Sequence, residues 1–317
     1  MNRRALVTGG AGFIGSHVVD RLLAEGHEVL VVDNLSTGRL SNLESASRHP
    51  QFTFLHADIT STESVDAVEQ FRPDVVFHLA AQADVRVSVA NPVFDATVNI
   101  IGSLRVIEAA VKGGAQRIVA AASGGTLYGE VDPSDLPISE SMPWQPLAPY
   151  GISKKVMIDY LRSAQAIYGI ETTSLALGNV FGPRQDPHGE AGVIAIFFQH
   201  YQAATTPTVF GTGDQTRDFI YVEDVVSAFL AASERTGTGA LFNIGTGIET
   251  SVRDLVNYMN RITRSEVEPV RAPARAGELD RSVLDITAAS HQLHWSPRVG
   301  IEEGLIRTWQ WFQQVNG

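Results

Sequence analysis

Cysteine is absent from the 317 residues, and its absence excludes a disulfide framework, a thiolate nucleophile and a thiolate metal site together. The nine histidines show no H-E-x-x-H-like spacing, so no metal centre is expected. Apolar runs of roughly eighteen residues, the length a membrane helix needs, are missing as well. The first residues enter a strand pattern, without a signal peptide's apolar stretch and cleavage site; the expected compartment is the cytoplasm. Positive charge is scarce. Lys plus Arg number 24 against 35 Asp plus Glu, a net charge of −11, which argues against a nucleic acid or a membrane surface as partner. A phosphate-bearing ligand must then be held by a few placed cations and by backbone N–H groups.

What is present is a rhythm. Apolar strand runs at Arg4 to Thr8, Glu28 to Val32, Phe52 to His56, Val75 to Leu79, Arg117 to Ala121 and Thr173 to Leu177 alternate with helical periodicity. Helices are expected at Ser16 to Glu25, from about Ser61, at Val93 to Lys112 and from about Ser153. Such alternation predicts an α/β fold of the Rossmann type, a doubly wound parallel sheet covered on both faces. After about Asn179 the connections lengthen, with helices expected near Val193 to Gln202, Val222 to Ser233, Val252 to Ile262 and Glu302 to Gln314. This reads as a smaller α/β substrate-binding lobe, residues 179–317, following a dinucleotide-binding domain, residues 1–178, with the chain crossing back to the first domain around 217–248. Clefts at the carboxyl ends of parallel strands are where such folds bind ligands.

Between the first strand and the first helix lies TGGAGFIG, residues 8–15. Gly9 permits the tight turn, Gly12 lets a pyrophosphate approach the backbone, and Gly15 allows close helix packing at a positive helix end. A glycine-rich turn can also be a plain connection, but the next strand ends at Asp33. A carboxylate there accepts from both ribose hydroxyls and repels a 2′-phosphate, which favours NAD over NADP. Asp58, past the third strand, is open to two readings, an acceptor for the adenine amino group or a helix cap.

Tyr150 and Lys154 are four apart at a helix start, so both fall on one face and the ammonium can stabilise a phenolate. A tyrosine near its ordinary pKa of ~10 is a poor base at neutral pH and needs that neighbour.

These motifs, with HLAAQADV (78–85), SGGTLYGE (123–130), PYGISK (149–154), GNVFGPRQ (178–185) and RDFIYVEDV (217–225), together resemble the extended short-chain dehydrogenase/reductases, and within them the UDP-glucose/UDP-galactose 4-epimerase family. The resemblance covers almost the whole chain. It implies NAD as cofactor, a UDP-sugar as substrate, a homodimer, and epimerisation through a 4-keto sugar with Tyr150 as the base. It extends the NAD contacts to Phe13, Ile14, Asn34, Ile59, Leu79, Ala80, Ala81, Gln82 and Asn99. On the substrate side it implies Asp84, Gly124, Gly125, Asn179, Val193, Val209 and Phe210, with Glu278 near the uridine and Arg217 and Arg275 gripping the diphosphate. Ser282 falls at the gate beside the sugar 2-substituent, where a small residue admits N-acetyl sugars. Arg184 is open between substrate and its own loop, and His78 reads as structural.

One position departs from the family. Where a hydroxyl usually helps hold the 4-oxygen, this chain has Gly124. Ser123 and Thr126 flank it, and strand alternation favours Thr126 as the replacement. Related dehydratases usually carry an Asp-Glu pair at the positions of Gly125 and Thr126, and decarboxylases a Glu at the second; neither carboxylate is present here. The remaining rivals are another UDP-sugar enzyme, such as a UDP-glucuronate 4-epimerase, and a non-catalytic NAD-binding regulator on the same fold.

Overall fold

The computed structural model describes residues 3–188, 192–234, 239–274 and 279–315. Six strands arrive in the expected rhythm: β1 (Arg4–Thr8), β2 (Glu28–Asp33), β3 (Phe52–His56), β4 (Val75–His78), β5 (Arg117–Ser123) and β6 (Glu171–Leu177). The rest of the chain adds β7 (Asn179–Phe181), β8 (Thr208–Phe210), β9 (Thr216–Tyr221), β10 (Ala240–Ile244), β11 (Glu249–Ser251) and β12 (Val270–Ala272). The main sheet has the order β10-β6-β5-β4-β1-β2-β3, and every pairing in it is parallel. Apart from the edge strand β3 its strands are buried on both faces, which is why β1, β2, β4 and β5 are nearly continuous Val, Leu, Ile and Ala. The seventh strand is contributed from beyond Asn179, since β10 pairs with β6.

Helices Phe13–Ala24 and Val222–Glu234 supply the core on one face of the sheet. Thr62–Phe71, Ser103–Gly113 and Pro149–Tyr168 supply it on the other. A third core lies under the small sheet β11-β9-β7 and is built by helices Val193–Gln202, Val252–Thr263 and Ile301–Val315. Phe13 and Ile14 pack against that third core, so the first turn of the first helix touches both halves of the molecule. The loop after β7 fastens to the same helix: Arg184 pairs with Asp20 at 2.6 Å, and His17 Nε2 lies 3.0 Å from the Pro183 carbonyl. Arg39 adds a pair to Asp186 at 2.7 Å. None of the described helices is long and apolar enough to cross a membrane.

Three local departures from the sequence reading have physical causes. The helix expected from about Ser153 begins at Pro149, because a proline at the first helical position needs no N–H partner and has its φ already set. The helix expected over Val93 to Lys112 begins at Pro92 and contains a wider, π-type turn at Thr97–Gly102. There Ile59 packs closely on the turn: a Cβ on Gly102 would come within 2.6 Å of Ile59 Cδ1, so a larger residue would have to displace that side chain. Finally, β5 runs on to Ser123, and Gly124–Leu127 form one helical turn. The period-two alternation used to pair position 124 with Thr126 therefore does not apply, because the strand has already ended.

Candidate active site

The strand order reverses between β1 and β4, and the turns after these two strands meet. Gly9 has φ +70°, and a Cβ on it would lie 2.7 Å from Ala80 N. A Cβ on Gly15 would run into the Gly9 carbonyl oxygen, whereas one on Gly12 would meet only that oxygen, at 3.1 Å. Gly12 thus borders space that a side chain would fill. The helix it starts has no side-chain cap and no acidic residue in its first turn, so its free N–H groups and positive end suit a pyrophosphate.

Asp33 is buried at the end of β2. Its Oδ2 accepts from Ala11 N at 2.9 Å and its Oδ1 from Leu35 N at 2.8 Å. Each oxygen keeps a further lone pair, enough for two ribose hydroxyls. Asp58 is not the cap of the helix after β3; Ser61 is, accepting from Ser64 N. Asp58 instead accepts from Thr60 N, Thr60 Oγ1 and Asn34 Nδ2. Desolvation pushes its carboxyl up, but the bonds from Thr60 and Asn34 win and hold it below the ordinary value. These bonds fix the loop carrying Asn34 beside Asp33. Ile59 is core, packed on the π-type turn.

A chain of buried polar groups supports the turn after β4. Ala80 N donates to Thr8 Oγ1 at 3.3 Å, and Thr8 Oγ1 lies 2.8 Å from His78 Nδ1. His78 Nε2 lies 2.9 Å from Ser103 Oγ, whose own hydroxyl donates to Asn99 O at 2.6 Å. With the Ser103 proton committed, Nε2–H must donate, and in the neutral ring that burial favours Nδ1 accepts from the Thr8 hydroxyl. Burial pushes His78 down to about 3, and the charge of Lys154 acts in the same direction. Asn99 exchanges two hydrogen bonds with the Gln82 backbone, at 2.9 and 2.8 Å. Leu79 N donates to Thr8 O at 3.1 Å. Leu79, Ala80, Ala81 and Gln82 are held beside the glycine turn in this way. Asp84, expected on the substrate side, instead caps the helix Val85–Ala90 and pairs with Arg86 at 2.9 Å. Its carboxylate is occupied locally.

Lys154 is wholly buried and donates from Nζ to Ala121 O at 2.9 Å. It lies 5.8 Å from the centroid of the half-buried Tyr150 ring. Burial pushes the ammonium down to about 8, with Asp95 pulling the other way. The turn carrying Tyr150 packs on the turn after β5, since a Cβ on Gly151 would lie 2.7 Å from Thr126 O. Thr126 Oγ1 is buried and has no hydrogen-bond partner among the described residues. Ser123 starts that turn without capping it. Gly124 faces Leu284, whose Cδ1 would be 2.8 Å from a Cβ there, while a Cβ on Gly125 would have nothing within 4 Å. Tyr128 anchors the segment to β10 through Asn243 Oδ1 at 2.7 Å.

Opposite this wall, Asn179 is exposed at the start of β7, and Val193 opens its helix half-buried. Val209 and Phe210 lie on β8, the first buried and the second half-buried. Arg217, on β9, is half-buried and donates to Thr216 O at 2.7 Å. The neighbouring Asp218 accepts from Thr246 N, Thr246 Oγ1, Gly247 N and Leu284 N. It thereby ties β9 to the segment that carries the buried Ser282. Arg184 belongs to the loop staple. Arg275 and Glu278 lie outside the described residues. Sequence reasoning passed over Thr8, Asp95, Ser103 and Ser153; the signal it had was a hydroxyl at a strand end for Thr8 and a polar residue within a helix for the other three, and both are weak.

A nucleotide cradle at the switch point of a parallel sheet, with a buried lysine beside a tyrosine at its edge, defines a dinucleotide-dependent α/β enzyme. The chain belongs to the NAD dependent epimerase/dehydratase family, which it matches over residues 5–245. NAD is its cofactor, and the glycine turn and Asp33 fit that molecule. The chain is similar to a UDP-glucose 4-epimerase of Mycolicibacterium smegmatis, with 46% identity over 310 residues and 98% of each chain covered. It is similar to the crystal structure of a UDP-glucose 4-epimerase with UDP-glucose from Thermotoga maritima, with 43% identity, a TM-score of 0.94, and 99% of this chain and 100% of that one covered. It is also similar to a UDP-glucose 4-epimerase of Thermus thermophilus in complex with NAD, with 41% identity, a TM-score of 0.90, and 98% and 99% covered.

Proposed function

We propose that the chain is an NAD-dependent 4-epimerase of UDP-hexoses, interconverting UDP-glucose and UDP-galactose through a 4-keto sugar. The observation that carries this reading is the turn Gly124–Leu127 beside Tyr150 and Lys154: it offers two glycines, a threonine and no carboxylate. Water elimination or decarboxylation calls for an additional acid or base, whereas oxidation and reduction at C4 need only the tyrosine.

The glycine turn and Asp33 would hold NAD, which would supply the hydride acceptor and donor for C4. Tyr150, as a phenolate stabilised by the Lys154 ammonium, takes the proton of the 4-hydroxyl, holds it as a phenol while the sugar turns over, and then returns it, which restores the phenolate. Thr126, whose hydroxyl has no partner among the described residues, donates to the 4-oxygen. Arg217 and Arg275 hold the diphosphate, a natural use of the guanidinium fork. Asn179, Val193, Val209, Phe210 and Glu278 line the uridine side. Ser282 leaves space at the sugar 2-position, so UDP-GlcNAc and UDP-GalNAc are accepted too.

Residues 1–178 form the NAD lobe and 179–317 the sugar-nucleotide lobe, with β10 returned to the first. The enzyme works in the cytoplasm as a homodimer. Support for the dimer is a set of exposed apolar side chains, Val89, Val93, Phe94 and Ile101 on the helical stretch after β4 and Ile152, Tyr160 and Ile167 on the helix Pro149–Tyr168. The direct test is incubation with a panel of UDP-sugars and identification of the products by NMR. Interconversion at C4 is the expected result, and loss of water or carbon dioxide, or no turnover, would overturn the reading.

A further inference from the structure

Asp95 is a carboxylate with no exposed surface, in the short helix Pro92–Ala96. Nothing in the epimerase chemistry requires a charge there, yet four polar groups converge on this region. Asn99 Nδ2 donates to its Oδ1 at 2.9 Å, and Gln82 Nε2 does so at 3.1 Å. Ser153 donates to Oδ2 at 2.6 Å. The fourth is Lys154, which follows Ser153 and feels the Asp95 charge. Each element packed around Lys154 can be read for charge. The strand β5 offers the Ala121 carbonyl. The strand β4 offers His78, neutral through its two hydrogen bonds. The π-type turn offers the uncharged Asn99, and the lysine's own helix offers Tyr150. The anion in this set is Asp95. A buried lysine without one loses its proton well below its ordinary range.

We propose that Asp95 is the positioning counter-charge of the Tyr150–Lys154 pair: its buried carboxylate is bonded by Ser153, the residue that precedes the lysine, and its charge keeps Lys154 an ammonium. Through Gln82 and Asn99 the same carboxylate sets the turn after β4, so one group fixes both walls of the nicotinamide end. The inference rests on the epimerase reading only for its link to turnover. Its charge argument joins the hydrogen bonds around Asp95 to the pull of that charge on Lys154, and needs no sugar in the site.

Two variants separate charge from hydrogen bonding. In Asp95→Asn the amide oxygen can still accept from Asn99 and Gln82, and the amide nitrogen can donate to the Ser153 hydroxyl, so the network survives while the charge is gone. In Ser153→Ala the charge stays and one hydrogen bond is lost. The chain has three lysines, Lys112, Lys154 and Lys155, so the Nζ resonance of each can be followed by pH titration in an isotope-labelled NAD-bound enzyme. In the wild type, Lys154 is expected to titrate near 8. In Asp95→Asn it should fall by about one unit or more, and the alkaline limb of kcat should move to lower pH with it, a tenfold or greater loss on that side against a small loss on the acid side. Ser153→Ala should move the lysine less. A lysine titration unmoved by Asp95→Asn, or a loss of turnover uniform across pH, would make Asp95 a structural link only and overturn the proposal. So would an equal shift in Ser153→Ala. Should Asp95→Asn not fold, the wild-type titration still decides: a Lys154 that deprotonates below neutrality has no effective counter-charge. Failure of the epimerase reading would show elsewhere, as loss of water or carbon dioxide from the UDP-sugar or no turnover of it, and would leave the lysine titration intact as a test.

Discussion

The two sides of the cleft are built differently. On the NAD side nearly every polar group already has a protein partner: Asp33 is held by Ala11 and Leu35, Asp58 by Thr60 and Asn34, and His78, Asn99 and Asp95 by one another's neighbours. The three buried side-chain atoms without a partner among the described residues lie instead on the turn beside Tyr150, Thr126 Oγ1, and on the loop after β7 that fastens to the first helix, Arg184 Nη1 and Gln185 Oε1. The contrast fits the reaction. A cofactor that is oxidised again in every turnover can stay in a rigid, satisfied cradle, whereas a substrate that enters, rotates and leaves needs groups whose bonds are completed by the substrate itself.

The strongest test of the contrast is Tyr150→Phe. Turnover should fall by ~10² to 10⁴, while NAD extracted from the purified variant matches the wild type; loss of the cofactor would mean that the two sides are not separable. Next comes acidification. Burial pushes His78 down to about 3 and His17 down to about 4, from 6.5. Below about 6.5 the unfolded chain binds these protons and the native state does not, so stability is present above that pH and is lost as pH falls toward the folded values. The slope is about 1.4 kcal/mol per pH unit for each ring. Denaturant midpoints against pH should show it, and His17→Gln, which can still donate to the Pro183 carbonyl, should remove part of it. An unchanged slope would disprove the assignment.

Smaller effects probe the sugar side. Thr126→Val keeps the volume and removes the unpartnered hydroxyl, and should lower kcat about tenfold or more, with Ser123→Ala affecting it less; the reverse order would make Ser123 the group that holds the 4-oxygen. Ser282→Tyr should cost UDP-GlcNAc more than UDP-glucose by ~1 to 3 kcal/mol in kcat/KM. Equal losses for both substrates would remove Ser282 as a gate.

The parallel sheet was legible because a strand buried on both faces must be apolar along its length, as Val75 to Phe77 and Ile118 to Ala122 are. The glycine turn was legible because Gly9 and Gly15 leave no space for any other residue. The helical turn at Gly124–Leu127 was not, since Gly-Gly-Thr carries no helical signal and is imposed by packing under Leu284 and the start of the Tyr150 helix. Asp95 escaped for a related reason: its meaning comes from Gln82, Asn99 and Ser153, and the last of these is far from it in sequence.

The open space above Gly125 has an evolutionary consequence. A Cβ there would meet nothing within 4 Å, so a longer side chain can be added at the mouth of the site without moving the backbone. The resemblance implies that related dehydratases carry their acid and base on the same turn, at this position and the next. A change of reaction class can therefore begin by simple addition to vacant volume. Ancestral chains could have explored new chemistry while keeping the fold and the cofactor cradle intact.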